Sequence, residues 1–171
     1  MSISRSRARA LTARFARQQV LVVGDLMLDH YIHGHVNRIS PEAPVPVLHV
    51  TREHSVPGGA CNVAANVRAL GGRAGVAGVI GKDAHGRSLT RLLQRSEIAT
   101  DAVLRLSRQP TTVKSRIVAE RQQVVRVDWE KKLQMAPATA AAFARRIERS
   151  LAKATAVIIE DYSKGVIAQP V

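Results

Sequence analysis

Short apolar runs alternate with helical patterns along most of the chain. Continuous apolar runs occur at residues 20–23, 75–80 and 156–159, which is the pattern of parallel strands buried on both faces. Between them, apolar residues recur at helical spacing, first as Ala60, Val63, Ala64, Val67 and Leu70. Two shorter helical patterns follow, Leu89, Leu92 and Leu93, and then Phe143, Ile147 and Leu151. Strands that alternate with helices predict an α/β domain.

Two regions depart from this alternation. Residues 30–57 read as short alternating pieces, which the prolines allow to be edge strands and turns but not helices. Residues 111–130 have period two around a polar turn at 120–123, which predicts a hairpin with one charged face. We expect these regions to form a projecting β-strand flap, and residues 30–57 fit a homodimer contact as well.

Paired glycines bound the helix that is predicted at residues 60–70. Gly58 and Gly59 let the backbone pass close to a neighbour, and the glycines at 71 and 72 permit a left-handed helix end. Asn62 and Asn66 lie four residues apart beside the apolar stripe. Backbone N–H groups and amide side chains at a helix start can bind a polar ligand, although an ordinary glycine-bounded helix has the same pattern.

Charged residues follow the first and last predicted strands. Asp25 and Asp29 come after the first apolar run, and Asp161 and Lys164 after the last one. Ligands of open α/β sheets gather at the carboxyl ends of the strands. The first two aspartates are therefore candidates for binding sugar hydroxyls, or one of them caps a helix or turn.

Composition and charge narrow the choice of partners. The 171 residues are 46% hydrophobic and carry a net charge of +13, which predicts one aliphatic-cored domain with an anionic partner. Five arginines fall within residues 1–19, a basic arm or first helix before the domain at 20–171. No apolar run approaches the roughly 18 residues of a membrane span, and a single cysteine fits a reducing compartment. We expect a cytoplasmic protein that does not contact a membrane.

Two groups of side chains have alternative interpretations. His30, His33 and His35 could ligate zinc, but no cysteine or acid completes a tetrahedral set, so we predict no metal site and interpret them as flap surface. Lys114 and Arg116 lie on the charged face of the predicted hairpin. They could clamp a phosphate, or this face could simply be solvated.

The glycine-rich segment resembles the first signature of the ribokinase-like family of carbohydrate and nucleoside kinases. The matching positions are Gly58, Gly59, Ala60, Asn62, Ala64, Gly71 and Gly81. Within this family, residues 38–47 (RISPEAPVPV), 111–116 (TTVKSR) and 161–165 (DYSKG) are similar to the heptose 7-phosphate kinases of lipopolysaccharide-core synthesis. Ile117 and Trp129 depart mildly from that pattern.

The resemblance implies a three-layer α/β/α fold with a flap, and a function. The implied function is that of an ATP- and Mg²⁺-dependent kinase that converts heptose 7-phosphate to heptose 1,7-bisphosphate in ADP-heptose biosynthesis. The implied phosphosugar-binding residues are Asp29, Gly58, Gly59, Asn62, Asn66, Lys114, Arg116, Asp161 and Lys164.

One expected part of such a kinase does not occur in the sequence. The family's D-T-x-G-A-G-D segment supplies an anion hole and the catalytic base, and no similar segment is present. We therefore expect the carboxyl-terminal half, with the base and most of the nucleotide site, to be absent. The chain would then be truncated and inactive alone.

The alternative is a non-catalytic binding or regulatory fragment that uses its basic surface on nucleic acid. The missing base favours this alternative, whereas the dense sugar-side motif argues against nucleic-acid binding. A steeply salt-dependent affinity for DNA without any effect of sugar would support it.

Overall fold

The computed structural model describes residues 3–168, and its strands form two sheets. The strands are β1 (Gln19–Gly24), β2 (Leu26–Ile39), β3 (Pro46–Gly59), β4 (Arg73–Gly81), β5 (Ala99–Leu106), β6 (Thr112–Ala119), β7 (Gln122–Trp129) and β8 (Ala156–Glu160). The central sheet has the order β5-β4-β1-β8 and is parallel throughout. The flap sheet has the order β3-β2-β6-β7, with β2 and β6 parallel and the outer pairs antiparallel.

Helices cover both faces of the central sheet. The helices are α1 (Arg5–Thr12), α2 (Ala60–Ala69), α3 (Ala84–Arg95) and α4 (Pro137–Leu151). Buried residues of α2 and α3, such as Ala64 and Leu89, form one core with Val22 and Val76. Phe143 of α4 packs on the other face in a second core. The three layers confirm the predicted α/β/α arrangement.

The continuous apolar runs are explained by this double coverage. Successive residues of a strand point to opposite faces, so a strand covered on both faces must be apolar at every position. In β1, Val22 belongs to the core beneath α2, whereas Leu21 and Val23 belong to the core beneath α4. The edge strand β8 differs, because its Val157 and Ile159 remain exposed.

The flap strands are longer than the sequence predicted. Residues 30–57 were expected to form short pieces, but β2 and β3 are continuous 14-residue strands with irregularities near Gly34 and Val36. The prolines do not interrupt them, because Pro41 and Pro44 lie in the turn, Pro46 begins β3 and Pro57 lies near its end. Since β3 is an edge strand, the missing N–H of a proline need not cost a ladder hydrogen bond.

The hairpin and the glycine-bounded helix agree with the sequence pattern, with small differences. β6 and β7 pair antiparallel, and the turn between them is tighter than expected because β7 already begins at Gln122. α2 is preceded by Gly59 at φ 55° and followed by Gly71 at φ 88°, both in the left-handed region that favours glycine. Leu70, which was predicted on the apolar stripe, is exposed at the helix end.

The single cysteine is part of the core. Cys61 on α2 is fully buried, and burial raises the pKa of its thiol to about 12. A thiol with this pKa remains protonated at neutral pH and is a poor nucleophile. Cys61 is therefore a small core residue of α2. No helix within residues 3–168 is both long enough and apolar enough to cross a membrane.

Candidate substrate-binding site

Asp25 lies where the central sheet passes into the flap, and it holds two neighbouring segments. Its side chain is only 2% exposed, and its carboxylate accepts the N–H groups of Tyr162 at 2.8 Å, Lys164 at 3.0 Å and Val166 at 3.3 Å. Its backbone carbonyl accepts the N–H of Ala60 at the start of α2. Of the two interpretations of this aspartate, the structure supports the cap, since its oxygens are occupied by the loop after β8.

Asp29, Gly58 and Arg116 come together on one face of the flap sheet. Asp29 lies on β2 and Arg116 on the neighbouring strand β6. Oδ1 of Asp29 lies 2.6 Å from Nη1 of Arg116. The two side chains are only 18% and 21% exposed. A Cβ atom on Gly58 would lie 2.5 Å from Oδ2 of Asp29, so the glycine leaves the space beside this oxygen open.

The Arg116 guanidinium is held in a charged and partly desolvated setting. Burial lowers its pKa, but the hydrogen bond and charge of Asp29 outweigh this and raise the pKa above its usual value. Its central carbon lies 5.2 Å from the centre of the Tyr31 ring, within cation–π distance. Both hydrogen bonds that it makes to described residues leave from Nη1, so Nε and Nη2 can donate to a bound anion.

A second network brings the two predicted lysines together. Lys114 Nζ lies 2.9 Å from Asp128 and 3.5 Å from Glu130, and Lys164 Nζ donates to Glu130 at 2.8 Å. The hydrogen bond from Lys114 lowers the pKa of Asp128, and the one from Lys164 lowers the pKa of Glu130. Glu130 therefore joins the flap to the loop after β8, and a bound phosphate would compete with it for both ammonium groups.

The remaining predicted residues lie outside these two networks. Asn62 and Asn66 are exposed on α2, and within residues 3–168 no hydrogen bond joins either of them to Asp29 or Arg116. Asp161 is exposed and accepts the N–H of Ser163 at 2.7 Å, which shapes the turn after β8. Gly59 contributes its backbone conformation at the start of α2.

The sequence analysis missed an aromatic stack beside the Asp29–Arg116 pair. The rings of Tyr31 and His54 are 5.0 Å apart, and those of His54 and His33 are 5.3 Å apart, in nearly parallel planes. Burial, followed by the charge of Arg52, lowers the pKa of His33. The period-two spacing of residues 29, 31 and 33 indicates their shared face, but the position of His54 depends on the strand register.

His30 and His35 each lie beside an acid of a neighbouring strand or turn. His30 lies 3.3 Å from Glu53, and His35 contacts Glu120. Across the part of the chain that the structure describes, no group of three or more histidine, cysteine or acidic side chains is arranged to hold a metal ion.

Comparison with known proteins places the chain among sugar kinases. Residues 17–168 match the family model described as pfkB family carbohydrate kinase. The chain is 43% identical over 157 residues to the bifunctional protein HldE of Gluconacetobacter diazotrophicus, covering 92% of this chain and 32% of the relative. It is 45% identical over 154 residues to the D-beta-D-heptose 7-phosphate kinase of Bordetella bronchiseptica, covering 90% of this chain and 48% of the relative.

These relatives are considerably longer than the chain. It spans about a third of the length of the first relative and about half of the second. This agrees with the expectation that the chain corresponds to part of a family kinase.

Solved structures agree on the fold. A carbohydrate kinase from Agrobacterium tumefaciens matches with a TM-score of 0.60 at 15% identity, covering 83% of this chain and 45% of that one. The microbiome-derived acarbose kinase Mak1 matches with a TM-score of 0.55 at 22% identity, covering 83% and 52%. The fold is thus ribokinase-like, as predicted. The chain belongs to the pfkB family of carbohydrate kinases.

Proposed function

We propose that this chain forms the sugar-binding part of an ATP-dependent kinase that converts heptose 7-phosphate to heptose 1,7-bisphosphate in ADP-heptose biosynthesis. The observation that carries the proposal is the half-buried Asp29–Arg116 pair beside the open space at Gly58. In this proposal, Asp29 accepts a sugar hydroxyl and Arg116 binds a phosphate next to it, the combination that a phosphosugar requires. The name of the Bordetella relative supports the choice of heptose 7-phosphate.

Each predicted residue has a role in this proposal. Oδ2 of Asp29 accepts a sugar hydroxyl in the space left by Gly58, and the free donors of Arg116 bind the substrate phosphate. Lys114 and Lys164 add positive charge at the edge of the site. Gly59, Asn62, Asn66 and Asp161 contribute backbone and side-chain contacts from α2 and the loop after β8.

The phosphoryl donor and the base are assigned to no residue of this chain. ATP supplies the transferred phosphoryl group, and Mg²⁺ neutralises its charge when both are bound. Residues 3–168 offer no acidic cluster suited to the ion. We propose that a segment equivalent to the family's carboxyl half supplies the nucleotide site and the base, and that the reaction takes place in the cytoplasm.

We further propose that the flap mediates a homodimer contact. β7 is exposed along its length, and its apolar side chains Val125, Val127 and Trp129 point to one face. Exposed apolar residues on an unpaired edge strand favour association with a second strand. Sedimentation of the wild-type chain and of a Val127→Lys variant tests this contact, which predicts a dimer for the former and a monomer for the latter.

Binding of the sugar phosphate is the direct test of the proposed site. Titration calorimetry compares heptose 7-phosphate with unphosphorylated heptose for the wild-type chain, Asp29→Asn and Arg116→Gln. Because charge-assisted hydrogen bonds are lost, we expect each variant to bind heptose 7-phosphate at least about tenfold more weakly. Arg121→Gln is the matched control, since Arg121 is an exposed cation in the flap turn, and it should bind normally.

Activity is tested by adding a carboxyl half from a family kinase. Phosphorylation of heptose 7-phosphate by ATP is measured for the chain alone and together with the carboxyl half of the Bordetella kinase. We expect activity only in the mixture. No binding of the sugar phosphate and no activity in the mixture would together refute the proposed function.

A further inference from the structure

A separate cavity lies at the opposite end of the central sheet from Asp29. It has a volume of about 450 Å³ and is bounded by the amino-terminal parts of β1, β4 and β5 and by the end of α4. We propose that this cavity binds a small phosphorylated metabolite at a site distinct from the substrate site. The proposal rests on the shape and charge of the cavity and is independent of the proposed kinase function.

The cavity exists because α4 and the central sheet do not pack closely against each other at this end of their interface. At the other end of the interface, Phe143 of α4 is completely buried against the sheet. Towards the end of the helix, the sheet residues that line the cavity include the small residues Gly75, Ala99 and Ala102 beside Leu21. A Cβ atom on Gly75 would have ordinary van der Waals contacts, the nearest at 3.4 Å. The sheet surface therefore has space here that its side chains do not fill.

Cationic residues border this part of the sheet, although a sheet-facing stripe is ordinarily apolar. Arg146, Arg149 and Ser150 of α4 line the cavity, together with Lys153 in the turn after the helix, and Arg149 and Lys153 lie at its exposed rim. The apolar residue Leu151 is instead exposed. Cations also interact favourably with a helix C-terminus, but that interaction does not require them to face the sheet.

The positive charge in the cavity is not neutralised by the surrounding residues. Arg146 donates from Nη1 to the carbonyl oxygens of Asp101 and Val103, each at 3.3 Å, and Arg149 donates to a carbonyl of its own helix. Within residues 3–168, none of the three lining cations forms an ion pair. Among the described residues that line the cavity, Asp101 is the only acid. Unpaired cations on a partly enclosed surface favour a bound anion.

The lining also defines the chemical class of the ligand. Two guanidinium groups and one ammonium group suit a phosphate, because guanidinium offers a planar fork of donors. Gln19, Ser150 and Asp101 can bind hydroxyl groups on the body of the ligand. A phosphorylated metabolite that carries hydroxyls can bind both the cations and the polar groups of the lining, whereas an apolar ligand would leave the cations unpaired.

Backbone NMR with two probes tests the site in the whole chain. ¹H–¹⁵N spectra are recorded during titration with inorganic phosphate and, separately, with fructose 6-phosphate. We expect saturable shifts at the amides of Gly75, Ala99 and Ala102, with tighter binding of fructose 6-phosphate. The variant R146Q/R149Q/K153Q should bind at least tenfold more weakly at these amides. The matched control R87Q/R91Q/R95Q removes the same charge from the exposed face of α3 and should bind as the wild type does.

The positions of the shifted amides and the effect of charge removal on binding decide whether the proposal holds. Shifts confined to the surroundings of Asp29 and Arg116 would overturn the proposal while supporting the substrate site. Equal weakening in both triple variants, or shifts that do not saturate, would overturn it as general attraction to a basic protein. If the triple variant does not fold, the single variants R149Q and K153Q make the same comparison, with unchanged melting temperature as the criterion of folding.

Discussion

The central sheet and the flap sheet are built from the same number of strands but are stabilised differently. In the central sheet, Val22 and Ala77 are fully buried because helices cover both faces. In the flap, every residue of β7 is exposed, and charged side chains pair across the strands. The comparison indicates that apolar burial stabilises the central sheet, whereas the flap carries charged groups where a ligand can reach them.

The largest expected difference between the sheets follows from truncating one aromatic residue in each. Phe143→Ala should lower the free energy of unfolding by about 3–5 kcal/mol, because it removes a completely buried ring and leaves a cavity. Trp129→Ala on β7 should change the stability of the monomer by less than about 0.5 kcal/mol, because that side chain is 63% exposed in a single chain. Urea unfolding followed by circular dichroism measures both values. Similar losses in the two variants would contradict the distinction between the sheets.

A smaller effect is expected at the contact that joins the sheets. Asp83 caps α3 by accepting the N–H of Gly86 at 2.7 Å, and it also accepts the N–H and hydroxyl of Thr111, each at 2.8 Å. Asp83→Ala should therefore cost roughly 2 kcal/mol, through loss of the cap and of the partners of Thr111. Glu148→Ala, at an exposed acid on α4, serves as control and should be nearly neutral. A loss below about 0.5 kcal/mol at Asp83 would show that the sheets do not depend on this contact.

The smallest effect should come from acid titration of the flap. The hydrogen bonds from Lys114 and Lys164 lower the pKa values of Asp128 and Glu130 below their usual 3.8 and 4.5. Their contribution to stability is thus complete above these usual values and is lost as the pH falls through the lowered ones. Between pH 6 and 3, wild type should lose up to about 1 kcal/mol more than D128N/E130Q.

Fluorescence offers a local measurement of this loss. Trp129 is the only tryptophan of the chain and lies on β7, beside the charged network. Urea unfolding at pH 6 and pH 3, followed by its fluorescence, gives the pH dependence for the wild type and for the double variant. If both proteins lose the same stability, the Lys114 and Lys164 pairs do not support the flap.

Local patterns predicted the central layers well, because double burial and helical periodicity are visible in short windows of sequence. The glycines at 59 and 71 marked the ends of α2, and the hairpin at 111–130 was evident from its alternation. The parallel pairing of β2 with β6 was not predictable, because it joins segments about 85 residues apart whose alternation carries no information on partners. The position of His54 beside Tyr31 depends on strand register in the same way.

The candidate site was predictable only in part. The family resemblance indicated Asp29, Gly58 and Arg116, and the structure brings these three together. It could not indicate that Glu130 links Lys114 to Lys164, because that contact requires the loop after β8 to fold back onto the flap. The cations of α4 carry no such signal in the sequence, and only the packing of α4 shows that Arg146 and Arg149 line a cavity beside the sheet.

The carboxylate of Asp25 also has a consequence for the order of folding. Its hydrogen bond to Lys164 closes a loop of 139 residues, and β1 pairs with β8 over a similar separation. Contacts between such distant segments form late, since the entropy of loop closure must be overcome first. During synthesis, β1, β4 and the flap can assemble on the emerging chain before β8 exists. The turn that carries Asp161 and Lys164 is then the last of these parts to take its place.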